Sequence, residues 1–237
     1  MDNAIYAALT RQAGLMREMR AVANNMANGS TTGFRREGVV FSEHMTALDP
    51  QRGTLSMANA QGREVDLTPG ALAQTGGKLD LALEREGFFM VETPQGNRLT
   101  RAGAFMMSPE GELVNGDGHR VLDEGQAPLA LPPGARSIAV GADGTISADG
   151  QPVGRVGVFD QPDRALLRHE GGTLFSAEGA EPAPEAVVRQ GFLEESNVNP
   201  VLEIARMIEV QRAYELGQSF LDGEDGRIRA VISVSVR

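Results

Sequence analysis

The chain contains no cysteine and no tryptophan, only two tyrosines and three histidines, and no long apolar run. Each shortage excludes something. Without cysteine there is no disulfide, no thiolate zinc site and no cysteine nucleophile. Aromatics at 5% of the residues give no platform for stacking bases or sugars. Lys and Arg number 22 against 32 Asp and Glu, a formal charge of −10, the wrong balance for a nucleic-acid binder. A spanning helix needs about 20 consecutive apolar residues. The opening Met1-Asp2-Asn3-Ala4-Ile5-Tyr6 places an acid where a secretory signal is basic, and Arg11, Arg17 and Arg20 interrupt the apolar stretch such a signal needs. Neither membrane insertion nor a cleaved signal is expected, which leaves a cytosolic protein or one exported by a route that reads no cleaved signal.

What is present supports a packed core. The 237 residues are 41% hydrophobic, which argues against global disorder and suggests one or two domains. The 29 Gly and 12 Pro promise many turns. Charge divides along the chain. Residues 1–45 hold five basic and four acidic residues, residues 195–237 hold five and seven, and the middle holds 12 and 21. Near-neutral ends can pack against copies of themselves while an acidic middle keeps the molecule soluble.

Both ends read as helices. Ile5, Leu9, Gln12, Met16, Met19, Ala23 and Met26 recur at 4-3-4-3-4-3 spacing, a heptad-like seam suited to helix-on-helix packing. The helix should stop near Asn28-Gly29. A second helix starts at Pro200. Met207, Val210, Tyr214, Gly217 and Leu221 step by 3-4-3-4, and Val201, Ile204 and Ile208 continue the stripe upstream. Gly223 and Gly226 each weaken the pattern by about 1 kcal/mol relative to Ala, before Arg227 to Ile232 resumes it ahead of a short β-branched tail.

The middle is of another kind. Leu79 to Leu83 and Ile138 to Val140 alternate, and short apolar runs such as Phe88 to Val91 and Val156 to Phe159 stand between turn signals. Asn115-Gly116-Asp117-Gly118, Asp143-Gly144 and Asp149-Gly150 are hairpin signals. The expected fold is therefore α+β. Terminal helices pair as a coiled coil around an inserted, turn-rich antiparallel β domain. The expected boundaries are 1–36 for the N-terminal helix and its motif, 37–75 for an extended linker, 76–190 for the β domain and 191–237 for the C-terminal helix.

Catalytic chemistry is hard to find. His44, His119 and His169 are scattered and share no ligand spacing, so surface or structural roles are expected. The Asx-Gly segments lack the acid that closes a calcium loop and read better as turns. Gly76-Gly77 fits no phosphate-binding pattern, and no Gly-x-Ser-x-Gly is present. No catalytic residue, metal site or cofactor is assigned. Methionine at helical spacing is usually core packing, but two seamed helices at opposite chain ends also suit pairing with each other and with neighbouring subunits. Growth by stacking would need a heterologous, non-closing contact.

Ala23-Asn24-Asn25-Met26-Ala27-Asn28-Gly29-Ser30-Thr31-Thr32-Gly33-Phe34-Arg35-Arg36 resembles the ANNxANxxTTGFKR signature of the bacterial flagellar rod and hook protein family. Leu79 to Leu83 with Gly87 to Val91 resembles its LDxAIxGxGFFxV segment, and Leu99 to Phe105 its YTRxGxF. Gln190 to Asn199 resembles QGxLExSNVN, and Val210 to Glu215 the MIxxQRAYE helix. The matches run in family order over nearly the whole chain. Met1-Asp2-Asn3 and Arg17-Glu18-Met19 look more like the proximal-rod branch than the distal one. Gly29, Gly223, Gly226 and the Ser233-to-Val236 tail depart from the pattern.

The resemblance implies a non-enzymatic subunit of the periplasmic rod of the flagellar basal body, exported without a cleaved signal by the flagellar type III apparatus. Its partners would be copies of itself, other rod subunits, the export apparatus and surrounding ring proteins. Ile5, Leu9, Met16, Met19, Met26, Ile204, Met207, Ile208, Val210, Tyr214 and Leu221 would form the assembly seams. Asn24, Asn25, Asn28, Thr31, Thr32, Gly33 and Phe34 form the family motif. Gly33 would give the turn its backbone freedom, and Phe34 would anchor on the C-terminal helix. Both termini are expected to be mobile in the free monomer and to order on assembly. The alternatives are a distal-rod or hook subunit, a periplasmic ligand-binding β module, and a hydrolase using Asp and His from loops.

Overall fold

A computed structural model describes the backbone of residues 2–47 and 54–235 and the side chains of residues 5–40, 64–164, 166–230 and 233. The side chains of Met1 to Ala4, His44, Val231, Ile232 and residues 234–237, used in reading the sequence, lie outside that set. The chain divides into two compact units. One joins Met1–Ala27, Glu37–Asp66 and Asn199–Arg237; the other joins Asn28–Arg36 and Leu67–Val198.

The first unit holds two long helices and a hairpin. Helix α1 (Asp2–Ala27) is uninterrupted by proline and stops before Asn28-Gly29. Helix α2 (Pro200–Ser235) begins where Asn199 caps it, its Oδ1 accepting from the N–H of Val201 at 3.1 Å and of Leu202 at 3.3 Å. An Asn cap followed by Pro in the first turn satisfies amides that the helix cannot. Helix α2 runs through Gly223 and Gly226 without a break. At 1.5 Å per residue it is about 54 Å long, against about 39 Å for α1. No helix among the described residues is long and apolar enough to cross a membrane.

Within residues 37–75, read from sequence as an extended linker, β1 (Glu37–Ala47) and β2 (Thr54–Val65) instead pair as long antiparallel strands, with a register shift at Val40/Phe41. The hairpin lies against α1. Its sequence lacks the apolar alternation by which strands are recognised.

The second unit is antiparallel throughout, with short strands. Strand β3 (Leu72–Gln74) pairs with Phe192–Glu194, and β4 (Leu81–Leu83) with Val188–Gln190. Residues 191–198, expected within the C-terminal helical segment, thus belong to the β domain. The main sheet is centred on β5 (Phe88–Thr93), which pairs with β6 (Gly96–Thr100) and with strands Arg120–Val121 and Val158–Asp160. Phe88 to Val91 are buried one after another, because a central strand is covered on both faces. Phe89 meets Phe105 edge-on at 5.2 Å in a core that includes Leu113, Val121 and Ile146. Asn115 Oδ1 accepts from the N–H of Asp117 at 3.0 Å and of His119 at 2.8 Å. That locks the Asn-Gly-Asp-Gly segment as a hairpin turn.

Candidate functional site

Within the β domain, three motifs read separately from sequence converge on one carboxylate. Glu194 is 1% exposed. Its Oε1 lies 2.6 Å from Arg35 Nη2, and its Oε2 lies 2.9 Å from Arg101 Nε. The Gly70 N–H also donates to Oε1 at 3.0 Å. Arg35 donates in addition to the Thr68 carbonyl. Arg101 donates to the carbonyls of Arg85 at 2.9 Å and Gly87 at 2.6 Å, and its guanidinium sits 5.9 Å from the Phe88 ring centre. Burial pulls Arg101 down to about 10, against the attraction of Glu194 and with the repulsion of Arg35, so it stays cationic at neutral pH. Two buried guanidiniums on one carboxylate hold together segments distant in sequence.

The turn that delivers Arg35 is equally constrained. Gly33 has φ +71, and a Cβ there would stand 2.3 Å from the Ala102 nitrogen. Its N–H donates to the Glu194 carbonyl at 2.7 Å. Thr31 Oγ1 hydrogen-bonds Asn28 Oδ1 at 3.2 Å. Both threonines of the motif are half-buried. Phe34 is fully buried within the β domain, where its ring lies 5.3 Å from His169, which in turn meets Phe175 at 4.4 Å. The described ring contact thus ties Phe34 to the β domain, whereas the anchor expected from sequence lies on the C-terminal helix.

In the helical unit, α1 and α2 run antiparallel and meet through polar side chains. Gln12 Nε2 donates to the Tyr214 carbonyl at 3.1 Å, and Arg206 Nε donates to Glu18 at 2.6 Å. Asn25, fully buried, exchanges two 2.9 Å hydrogen bonds with the backbone of Glu37 and donates to Glu203 Oε2 at 3.1 Å. Gly217 lies opposite Gln12, and a Cβ there would come within 2.9 Å of its Nε2.

The seam residues take other positions. On α1, Ile5, Met16 and Met19 are half-buried, while Leu9 and Met26 are exposed. The buried face carries Gln12, Leu15, Glu18, Ala21, Val22 and Asn25. On α2, Val210 is buried, Met207, Tyr214 and Leu221 are half-buried, and Ile204 and Ile208 are exposed. Tyr6, Val201, Leu202, Leu216 and Phe220 are exposed too. The motif residue Asn24 is exposed and Asn28 half-buried. Apolarity alone located the helices. Of the polar ladder between them the seam included Gln12 alone; Glu18, Asn25, Glu203 and Arg206 had no apolar signal to mark them. Arg35, Arg101 and Glu194 were inside quoted motifs, but nothing local in sequence joins them.

Among the described residues, no three His, Cys, Asp or Glu side chains gather to hold a metal. Two helices with apolar outer faces, a turn fixed by glycine and a β domain tied by buried ion pairs describe a building block. Residues 82–148 match the model of the flagellar hook protein FlgE/F/G D1 domain, and residues 189–234 match that of the flagellar basal body rod FlgEFG protein C-terminal region. The chain belongs to this family of structural, non-enzymatic flagellar rod proteins. It is 39% identical to the flagellar basal-body rod protein FlgF of Caulobacter vibrioides, over 94% of this chain and 93% of that one. The FlgF of Escherichia coli is 33% identical, over 99% and 100%. The FlgG of Agrobacterium fabrum is 30% identical, over 92% and 94%.

Proposed function

We propose that this chain is a subunit of the proximal flagellar rod that polymerises through its terminal helices and so transmits motor torque. The near-full-length relation to FlgF proteins carries this reading; identity to the FlgF of Caulobacter vibrioides reaches 39%, against 30% to the FlgG of Agrobacterium fabrum. The helical unit supports the mode of assembly. Its polar ladder fixes one antiparallel register, the role buried polar groups take in coiled coils, and it leaves Leu9, Ile204, Ile208 and Leu216 on the outside. Those faces meet neighbouring subunits and complete a coiled-coil tube on assembly. The β domain then forms an outer layer facing the surrounding rings. Export through the flagellar type III apparatus into the periplasmic rod accords with an α1 whose apolar residues are interrupted by Arg11, Arg17 and Arg20.

The test is electron microscopy and mass spectrometry of basal bodies from a deletion strain and its complemented parent. Truncated or missing rods in the deletion, with the protein present in parental rods, are expected. Normal rods and a protein that fractionates elsewhere would overturn the reading.

A further inference from the structure

The paired helices leave a groove of about 480 Å³ between them, lined by Ala7, Ala8 and Leu15 of α1 and by Leu216, Gly217 and Phe220 of α2. Arg11 lines it too. That side chain is exposed and makes no ion pair among the described residues. An apolar groove between two helices suits the apolar stripe of a third. A free cation in the groove favours a stripe that carries an acid.

This chain carries such a stripe. Val201, Ile204, Ile208, Gln211 and Glu215 follow 3-4-3-4 spacing and so share one face of α2. Val201, Ile204 and Ile208 are exposed. Glu215 is exposed as well and makes no ion pair among the described residues. Other helix acids are engaged: Glu209, Glu224 and Asp225 pair with arginines of α2 itself, and Glu18 of α1 pairs with Arg206. At about 100° per residue the stripe lies roughly 150° round α2 from Leu216, Gly217 and Phe220, so one α2 cannot fill its own groove. We propose that the groove receives the Val201–Ile208 stripe of α2 from a second copy of this chain, with Glu215 of that copy meeting Arg11. The contact rests on the self-assembly reading above and specifies which helix faces meet. Groove and stripe are different surfaces, so the contact is heterologous and can repeat along a polymer.

Because the chain has no cysteine, introduced thiols report the contact cleanly. Gln12 meets Tyr214 and Glu18 meets Arg206, which sets Ile208 roughly nine residues, or about 13 Å, from Ala8 along the helices of one molecule. A disulfide spans at most about 7 Å between Cα atoms. Strains co-expressing an Ala8→Cys chain and an Ile208→Cys chain should yield disulfide-linked dimers on mild oxidation of isolated basal bodies, and neither variant alone should. Rods that hold both chains without that dimer would overturn the proposal, as would dimers from one variant alone or a disulfide to a different rod protein in its place. Charge reversal gives an independent reading. Arg11→Glu and Glu215→Arg should each lower the amount of this chain in rods about tenfold or more, while the two together restore it. Both residues are exposed, and circular dichroism establishes that each variant is folded. Single reversals without effect, or a double reversal no better than either, would reject the contact. Absence of the unaltered chain from parental rods would instead reject the rod-subunit reading itself.

Discussion

Arg35 and Glu194 form a 2.6 Å ion pair with side chains only 3% and 2% exposed, and they join the turn after α1 to the last strand of the β domain. Arg101 approaches the same carboxylate. Removing that carboxylate takes a buried anion away from two buried cations. Glu194→Gln should destabilise the β domain by about 3–5 kcal/mol, the usual cost of breaking a buried pair. Differential scanning calorimetry should show the β-domain Tm lowered by roughly 10 °C or more. An unchanged Tm would remove the triad from the account of stability.

Phe34→Ala should act in the same domain. The ring is fully buried and packs on His169, and truncating a buried Phe costs about 3–5 kcal/mol. The sequence alone suggested an anchor on the C-terminal helix. The structure predicts a β domain that melts earlier, which urea denaturation measures directly.

Two kinds of glycine should respond in opposite directions. Gly33→Ala meets a positive φ and the Ala102 backbone, so it should destabilise the fold by more than the ~1 kcal/mol of an unfavourable conformation alone. Gly223 lies within α2 with open space around it. Gly223→Ala should raise helix content and add up to about 1 kcal/mol. Parallel denaturation curves for the two variants decide the matter.

Asn25→Ala should uncouple α1 from the start of β1. It removes both hydrogen bonds exchanged with the backbone of Glu37 and the one donated to Glu203. Each buried group left unsatisfied costs about 1–3 kcal/mol. Hydrogen exchange should show faster opening across α1 and β1, with the strand amides of β5 and β6 unchanged.

The two ends of this molecule were legible for local reasons. Asn28-Gly29 stops α1 and Asn199-Pro200 starts α2, because caps act through neighbours in sequence. Asx-Gly pairs placed the hairpin turns for the same reason. The β1–β2 hairpin was illegible, since residues 42–64 are polar and irregular in pattern and their pairing is made by the backbone. The inner face of α1 was also misjudged by periodicity. Gln12 faces inward as its seam position required, but Glu18 and Asn25 also face inward, each with a hydrogen-bonding partner that no local pattern announces. The Arg35–Glu194–Arg101 centre depends on contacts between segments far apart, although each residue stood in a recognised motif.

Leu216→Asp separates folding from assembly. Leu216 is 74% exposed, so the change should alter monomer stability by no more than about 0.5 kcal/mol. A charge on the outer helix face should nevertheless block incorporation into rods. A swimming assay alongside circular dichroism of the purified variant distinguishes the two effects.

The most direct measurement places a photoreactive benzoylphenylalanine at Tyr6 or Leu216 in a complemented strain and irradiates isolated basal bodies. Adducts between this chain and neighbouring rod subunits, identified by mass spectrometry, are expected from both positions. Rods that contain the photoreactive chain yet yield no intersubunit adduct from either helix would show that assembly runs through other surfaces.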